Sequence, residues 1–441
     1  MKRNWILAII ILAYFMIIMD TSVIFTSLDT MRRDLGLSVS ASTWVQDAYT
    51  LFFGGLLVLG AQIGTVLGKR RIFFAGLIIF GISSVTVGLG SAPGMLIISR
   101  AFQGVGAAII APTSLSLIAE HFPEGEERAR ATRLYGAAAG IGTAVGMIIG
   151  GLVTTYISWR FAFFINAPIA ILLIAIALRV LPADPRRTAQ EPMSFDILGA
   201  FLATVGLGAI SFGIMEKMWW ISIVGGLIVA VFAWYETRAT HPIIPPAIIN
   251  HAVRGPMGLG RFFFAATAIP FFLIASQFMV NHYGLSPLAI GLAFSANAVP
   301  QFIVAMNLRR IQARIGIPAS VIGGLLMTTI GVAAMIPLNS HGGNILVVLG
   351  IYAWMGVGQG LAFATLTALG IYGASAADSG AASGVVNSAQ QLGSTIGLPI
   401  VMSMHNPFIG STVLIILSLV FAGWGALNYV AEQRQKVAVA V

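Results

Sequence analysis

Apolar stretches about 20 residues long recur from the beginning of this sequence to its end, and each is long enough as a helix to cross a hydrocarbon layer of about 30 Å. Of the 441 residues, 58% are hydrophobic and only 9% are charged. Soluble domains carry about 25% charged residues. The sequence therefore predicts an all-α integral membrane protein in which no large soluble domain is left over.

Breaks at glycine, proline and charge clusters divide the chain into about fourteen predicted transmembrane helices. They lie near residues 5–28, 44–68, 72–91, 95–119, 131–157, 160–180, 196–215, 218–235, 258–282, 287–308, 316–338, 344–368, 379–404 and 408–430. Two longer joins, 181–195 and 236–257, are rich in proline and charge. We therefore expect an N-terminal six-helix half at 1–181, a cytoplasmic linker with two inserted helices at 182–257 and a C-terminal six-helix half at 258–441, as in carriers that work by alternating access.

The positions of the basic residues predict how the chain is oriented. If both termini are cytoplasmic, the cytoplasmic connections hold about 19 lysines and arginines and the opposite side holds four, with Arg100 counted as intramembrane. The net charge of +9 then reflects membrane topology. Because the basic clusters are short and scattered, we expect no nucleic-acid partner. The predicted location is the plasma membrane, with multiple passes and both termini cytoplasmic.

Ionisable residues are scarce inside the predicted spans, where such groups are functional candidates by default, and Asp20, Asp47 and Arg100 are three of them. At 1.5 Å per helical residue, Asp20 lies about 12 Å from the outer boundary, Asp47 about 5 Å and Arg100 about 8 Å. Buried Arg100 needs a carboxylate partner, and two carboxylates leave one negative charge to spare. We expect Asp20, tuned by Arg100, to carry a proton, and Asp47 to bind substrate. The alternative for Asp20 and Arg100 is a purely structural ion pair.

Uncharged amides occupy the middle of the later spans, which hold almost no charge. They are Asn297, Gln301, Gln359, Asn387, Gln390 and Gln391. Asn297 and Gln301 share one helix face, as do Asn387 and Gln391. We expect Asn297, Gln301, Gln359, Asn387 and Gln391 to line a substrate cavity, with hydrogen bonds that hold the helix bundle together as the alternative.

Glycines recur about four residues apart in the fifth predicted span. "YGAAAGIGTAVGMIIGG" (135–151) places them at Gly136, Gly140, Gly142, Gly146 and Gly150. Small residues at this spacing let a neighbouring helix approach closely. The span therefore predicts a tight helix contact rather than a phosphate-binding loop, since no strand precedes it.

Several motifs together resemble the major facilitator superfamily, and most closely its fourteen-span drug:proton antiporter-2 family. "MDTSVIFTSL" contains Asp20 and resembles that family's first span, and "WVQDAY" resembles the start of its second. "GAQIGTVLGKRR" is similar to the signature loop, with Gly60, Gly68 and Arg70 in place. The family's acid and arginine in that loop fall on Gly64 and Thr65 here, so this sequence departs from the usual gating contact.

Further motifs extend the resemblance over nearly the whole chain. "ISRAFQGVGAA" (98–108) is similar to the fourth-span motif through Arg100, Gln103 and Gly104. "GTAVGMIIGG" with Gly146 and Gly150 resembles the antiporter motif, except that methionine replaces its proline, and "SWRFAFFINAPI" (158–169) follows it. "SGAASGVVNSAQQLGSTIG" (379–397) is similar to the family's thirteenth span.

The resemblance implies a proton-coupled multidrug efflux antiporter that exports hydrophobic, in some cases cationic, compounds. It implies a major-facilitator-type fold, proton coupling at Asp20 and Arg100, and gating or structural roles for seven residues of these motifs. Those residues are Gly60, Gly68, Arg70, Gln103, Gly104, Gly146 and Gly150. We expect a monomer that uses small-molecule substrates, protons and membrane lipid, and no cofactor.

Two other functions remain open at this point. An exporter or flippase of an endogenous metabolite or amphipathic lipid would have the same architecture. A membrane-embedded enzyme needs a clustered nucleophile, base or metal site, but the six histidines occur singly and no cysteine is present. We therefore expect neither catalysis nor a metal site.

Overall fold

The computed structural model describes residues 2–123, 126–184, 196–239, 242, 249–374 and 379–440. All regular secondary structure within these ranges is helical. The predicted linker at 182–257 is described only in part, because 185–195, 240–241 and 243–248 lie outside the described residues.

Fifteen helices form the described part of the chain. They are α1 (Lys2–Leu35), α2 (Val39–Leu67), α3 (Lys69–Gly88), α4 (Pro93–His121), α5 (Glu126–Tyr156), α6 (Trp159–Phe164), α7 (Asn166–Val180), α8 (Ile197–Met215), α9 (Trp219–Glu236), α10 (Arg254–Tyr283), α11 (Pro287–Ile315), α12 (Ile317–His341), α13 (Ile345–Gly370), α14 (Ser379–Met402) and α15 (Pro407–Ala440). Only Ile165 separates α6 from α7, so the two helices follow one another as a single apolar segment, Trp159–Val180.

Twelve helical segments among the described residues are long and apolar enough to cross a membrane. The segment made of α6 and α7 counts as one of them, and α2 and α14 are not included. The predicted all-helical, multi-span fold is thus confirmed, whereas the predicted number of fourteen spans is not.

The chain forms two compact units. The N-terminal unit comprises Met1–Thr204 with Leu285–Leu292, and the C-terminal unit comprises Val205–Gly284 with Ala293–Val441. Buried aliphatic and aromatic side chains of α1 to α5 and α7, such as Ile10 and Phe80, form the core of the first. The division into halves at 1–181 and 258–441 with an insert between them stays a prediction.

Glycines set how closely the helices of the N-terminal unit approach. A side chain at Gly60 or Gly104 would collide with the backbone of the facing helix, α4 for Gly60 and α2 for Gly104. At Gly146 and Gly150 a side chain would collide with α1. These glycines therefore allow the backbones of α2 and α4, and those of α1 and α5, to come into direct contact. A role for these glycines in gating stays a prediction.

Candidate functional site

A buried ion pair joins α1 to α4 in the N-terminal unit. Nη1 of Arg100 lies 2.6 Å from Oδ2 of Asp20, and both side chains are completely buried. Both residues lie in helices that are long and apolar enough to span a membrane. The structure thus brings together the two residues that were expected to form the proton site, while their role in proton coupling stays a prediction.

Amide side chains from two further positions complete the environment of Asp20. Its Oδ1 accepts hydrogen bonds from Nδ2 of Asn166 at 2.6 Å and from Nε2 of Gln103 at 3.1 Å. Both amides also donate to the hydroxyl of Ser84 on α3, at 3.3 Å from Asn166 and 2.6 Å from Gln103. Every hydrogen-bond contact of the carboxylate among the described residues is therefore with a donor.

Arg100 is held on the other side by α2. Its Nε donates to the carbonyl of Val45 at 3.0 Å, and its guanidinium carbon lies 4.3 Å from the centre of the Tyr49 ring. Nη1 also donates to Oε1 of Gln103 at 2.9 Å. A planar guanidinium suits this combination of an ion pair, a carbonyl contact and aromatic stacking, which a lysine cannot reproduce.

Helix geometry explains why α7 reaches the site. Asn166 is the first residue of α7, directly after the break at Ile165. Pro168 lies in the first turn, where a missing backbone N–H costs nothing. The break therefore presents the Asn166 amide to Asp20 from the end of a helix.

Asp47 is separate from this network, although the sequence places it at a depth similar to that of Asp20 and Arg100. On α2, Asp47 lies two residues from both Val45 and Tyr49, which places it about 200° around the helix from the face that holds Arg100. Both its carboxylate oxygens are buried without a hydrogen-bond partner in the described residues. The second carboxylate is thus present, but on the opposite face of α2 from the ion pair.

A second carboxylate network organises the connection between α2 and α3. Gly68 there has a φ of 102°, and the position of its missing Cβ is filled by the carboxylate of Asp184. Asp184 accepts hydrogen bonds from the backbone N–H groups of Arg70 at 2.9 Å and Arg71 at 3.0 Å. Gly68 therefore meets two requirements that only glycine satisfies, a left-handed φ and close approach to Asp184. Asp184 thus caps the N-terminus of α3.

We expect Asp184→Asn to lower the stability of the protein. A carboxylate at a helix N-terminus accepts hydrogen bonds from two backbone N–H groups and interacts favourably with the positive end of the helix dipole. The expected loss is about 1–2 kcal/mol. Thermal unfolding of the purified protein measures it. Glu120→Gln is the control, since Glu120 lies in the last turn of α4 and pairs with Lys69 at 2.8 Å, with side chains 43% and 29% exposed, and such pairs contribute little. Equal shifts for the two variants would refute the cap.

The predicted amides of the later spans differ widely in burial. Asn297 and Gln359 are buried, Gln301 and Gln391 are half-buried, and Asn387 is exposed. Gln390, next to Gln391, accepts a hydrogen bond from buried Arg261. The structure thus supports a buried polar position for Asn297 and Gln359 and does not bring all five predicted amides together in one site.

Comparison with known proteins identifies the family. The family model described as Major Facilitator Superfamily matches residues 10–398. The chain belongs to this superfamily. Its members are transporters, so the geometry around Asp20 belongs to a multi-span membrane carrier rather than to a catalytic centre.

Three relatives carry names that refer to antibiotic or multidrug resistance or to antibiotic export. Puromycin resistance protein pur8 of Streptomyces alboniger is 34% identical over 418 residues, covering 90% of this chain and 80% of that protein. Cephamycin export protein CmcT of Amycolatopsis lactamdurans is 33% identical, with 89% and 83% covered. Multidrug resistance protein Stp of Mycobacterium tuberculosis is 28% identical, with 94% and 78% covered.

Sequence reasoning did not identify three residues that the structure places at these two networks. Asn166 was visible in the "INAPI" motif but was not assigned to the site. Ser84 is a small hydroxyl in an apolar span, and such residues commonly bond to their own helix. Asp184 is separated from Arg70 by 114 residues, and no local pattern connects them.

Proposed function

We propose that this protein is a proton-coupled exporter of hydrophobic small molecules, some of them cationic, that works by alternating access. The observation that carries the proposal is the fully buried Asp20–Arg100 pair in helices able to span a membrane. An aspartate is expensive to bury in a bilayer unless it serves a purpose. The names of the relatives support export of drugs and antibiotics as the direction and substrate class.

Asp20 is the proposed proton carrier, and the contacts around it suggest what must move. In the described arrangement, Arg100, Gln103 and Asn166 all donate to the carboxylate. A protonated carboxyl can still accept hydrogen bonds, but it no longer carries the charge that pairs with Arg100, so the contact with Arg100 weakens when Asp20 takes up a proton. The proton and the substrate are thereby coupled through the helices that carry the donors.

The same proposal includes the topology. α2 has 29 residues and α14 has 24, and a helix needs about 20 residues to cross a bilayer. We therefore infer that α2 and α14 also span the membrane, for fourteen spans in total, with both termini cytoplasmic. We also infer that the protein acts as a monomer in the plasma membrane.

Flux in proteoliposomes tests the proposed function. Purified protein is reconstituted, a pH gradient is imposed, and the movement of puromycin, a cephamycin and ethidium is measured together with proton movement. We expect transport of at least one compound that depends on the gradient and moves protons in the opposite direction. Substrate flux that is unaffected by the gradient would refute proton coupling, and absence of flux for the whole panel would refute drug export.

We expect Asp47→Asn to weaken transport of cations selectively. Asparagine replaces a buried carboxylate that has no partner in the described residues, and so removes a group that can form an ion pair with a bound cation but is not needed by a neutral substrate. Uptake of ethidium should fall about tenfold or more, the effect of losing about 1.4 kcal/mol or more of binding energy, while that of a neutral substrate stays within about twofold. An equal loss for both substrates would show that Asp47 acts on folding or coupling instead.

A further inference from the structure

Several buried polar side-chain atoms of the C-terminal unit have no hydrogen-bond partner in the part of the chain that the structure describes, and three of them belong to the neighbouring helices α11 and α13. These three are the hydroxyl of Tyr352, Oδ1 of Asn297 and Nε2 of Gln359. Their residues are 0%, 1% and 2% exposed. Native proteins rarely bury a polar side-chain atom without a partner, because its lost hydration is not replaced. These three atoms therefore point to a ligand that pairs with them.

The three residues lie along one strip between two helices. Tyr352 and Gln359 are seven residues apart on α13, so they share a face and are about 10 Å apart along the helix axis. Asn297 on α11 donates from Nδ2 to the carbonyl of Tyr352 at 3.1 Å. The backbone of Asn297 also fills the space that a side chain at Gly356 would need. Asn297 thus lies beside α13 at a level between Tyr352 and Gln359.

Aromatic rings surround the Tyr352 end of the strip. The Tyr352 ring lies 6.1 Å from the Phe294 ring, nearly parallel at 24°, and 5.6 Å from the Phe271 ring at 76°. Phe271 in turn meets Phe408 edge to face at 6.0 Å. Such rings favour another aromatic ring in offset or edge-on contact.

The chemistry of the strip is neutral. Its side chains offer a phenol, an amide acceptor and an amide donor. The nearest charged contact described on α13 is Arg261, which donates to the carbonyl of Phe363, one turn beyond Gln359. The guanidinium of Arg261 lies 3.6 Å from the centre of the Phe363 ring and also donates to Gln390. Arg261 is therefore occupied by groups outside the strip.

We propose that Tyr352, Asn297 and Gln359 form a subsite for uncharged, planar aromatic compounds that carry both a hydrogen-bond donor and an acceptor. This inference rests on the proposed export of small molecules and specifies a class of substrate for it. A donor on the compound pairs with Oδ1 of Asn297, an acceptor pairs with Nε2 of Gln359, and the hydroxyl of Tyr352 serves either. The aromatic part of the compound packs against the rings near Tyr352.

Equilibrium binding without any pH gradient tests the subsite. The full-length protein in lipid nanodiscs is titrated with radiolabelled chloramphenicol, which is neutral and carries a nitrophenyl ring, hydroxyls and an amide. Ethidium, a planar cation, is titrated in parallel. We expect Tyr352→Phe and Gln359→Met each to weaken chloramphenicol binding about 5- to 10-fold, as expected for one lost neutral hydrogen bond. Ethidium binding should change less than about twofold.

Two controls separate loss of a contact from loss of structure. Tyr429→Phe removes a phenol hydroxyl from a half-buried ring elsewhere in the same unit and should leave binding of chloramphenicol unchanged. Ligand-free Tyr352→Phe should unfold at the same temperature as the original protein or higher, because it removes an unpaired buried hydroxyl.

Three results would overturn the subsite: unchanged affinity in Tyr352→Phe and Gln359→Met, equal loss for both compounds, or no binding of chloramphenicol by the original protein. Binding that depends on Tyr352, in a protein that shows no proton-driven flux, would refute the proposed function but support the subsite. The two proposals therefore fail in different experiments.

Discussion

Asp20→Asn is expected to abolish proton-driven export while leaving exchange of substrate across the membrane. Asparagine cannot take up and release a proton, so a pH gradient can no longer drive transport through this position. The variant resembles the protonated aspartate, a state that the proposed cycle itself visits. Arg100 loses its ion-pair partner but keeps its contacts with the Val45 carbonyl, Gln103 and the Tyr49 ring, so the protein should be less stable but remain folded. In proteoliposomes with an imposed pH gradient, net transport should fall to the level of empty vesicles, whereas exchange of labelled for unlabelled substrate at equal pH should persist.

The control for this variant is Asp29→Asn. Asp29 pairs with Arg33 one helical turn away at 2.9 Å, with side chains 19% and 63% exposed. This local i,i+4 pair lies outside the Asp20 network and contributes little to stability, so we expect proton-driven transport in Asp29→Asn to stay near that of the original protein. Full antiport by Asp20→Asn would contradict the proposed role, and loss of exchange as well as net transport would show that Asp20 is needed for substrate binding or movement.

Arg100→Met is expected to destabilise the protein more than any other single change considered. Methionine leaves the carboxylate of Asp20 buried without its ion-pair partner, and breaking a buried pair in this way costs about 3–5 kcal/mol. It also removes the contacts to the Val45 carbonyl and the Tyr49 ring. A large fall in the temperature of unfolding, and in the yield of folded protein, should follow.

The double variant Asp20→Asn with Arg100→Met distinguishes charge from packing. If the loss in Arg100→Met comes from the unpaired carboxylate, neutralising Asp20 should restore most of the stability, because the two effects are strongly non-additive for residues in contact. Recovery of about half the loss or more is the expected result. Additive losses in the double variant would show that Arg100 stabilises the protein through Val45, Gln103 and Tyr49 rather than through Asp20.

The helical membrane fold was predictable because each span must be apolar over its whole length, which leaves a strong local signal. The break at Ile165 was not, since no glycine or proline marks that position and Pro168 is tolerated in the first turn of α7. The boundaries between the two compact units do not coincide with the two joins rich in proline and charge, because the units are defined by contacts between helices that are distant in sequence.

The ion pair was predictable for a different reason. Charged residues are so scarce within the spans that a buried arginine has few candidate partners, and Asp20 was one of two. Helix geometry alone separates Asp47 from Tyr49 by about 200°, so the face that Asp47 occupies was available from the sequence. Asn166 was harder to assign, because an uncharged amide in an apolar helix forms a hydrogen bond to a neighbouring helix as often as it belongs to a functional site.

The partners of Asp184 and Tyr352 were beyond sequence reasoning. Asp184 meets the N-terminus of α3 only because α7 ends beside it. Tyr352 is one of several aromatic residues in an apolar span, and nothing local shows that its hydroxyl is buried without a partner among the described residues. Such features depend on which helices pack together, and that information is not local.

Calorimetric titration of substrate in buffers with different heats of ionisation measures directly whether Asp20 releases a proton when substrate binds. At a pH where Asp20 is protonated before substrate binds, the account predicts that binding releases protons from the original protein, so that the measured heat of binding depends on the buffer. Asp20→Asn should bind the same substrate with a heat that does not depend on the buffer. Equal proton release by the original protein and by Asp20→Asn would contradict it.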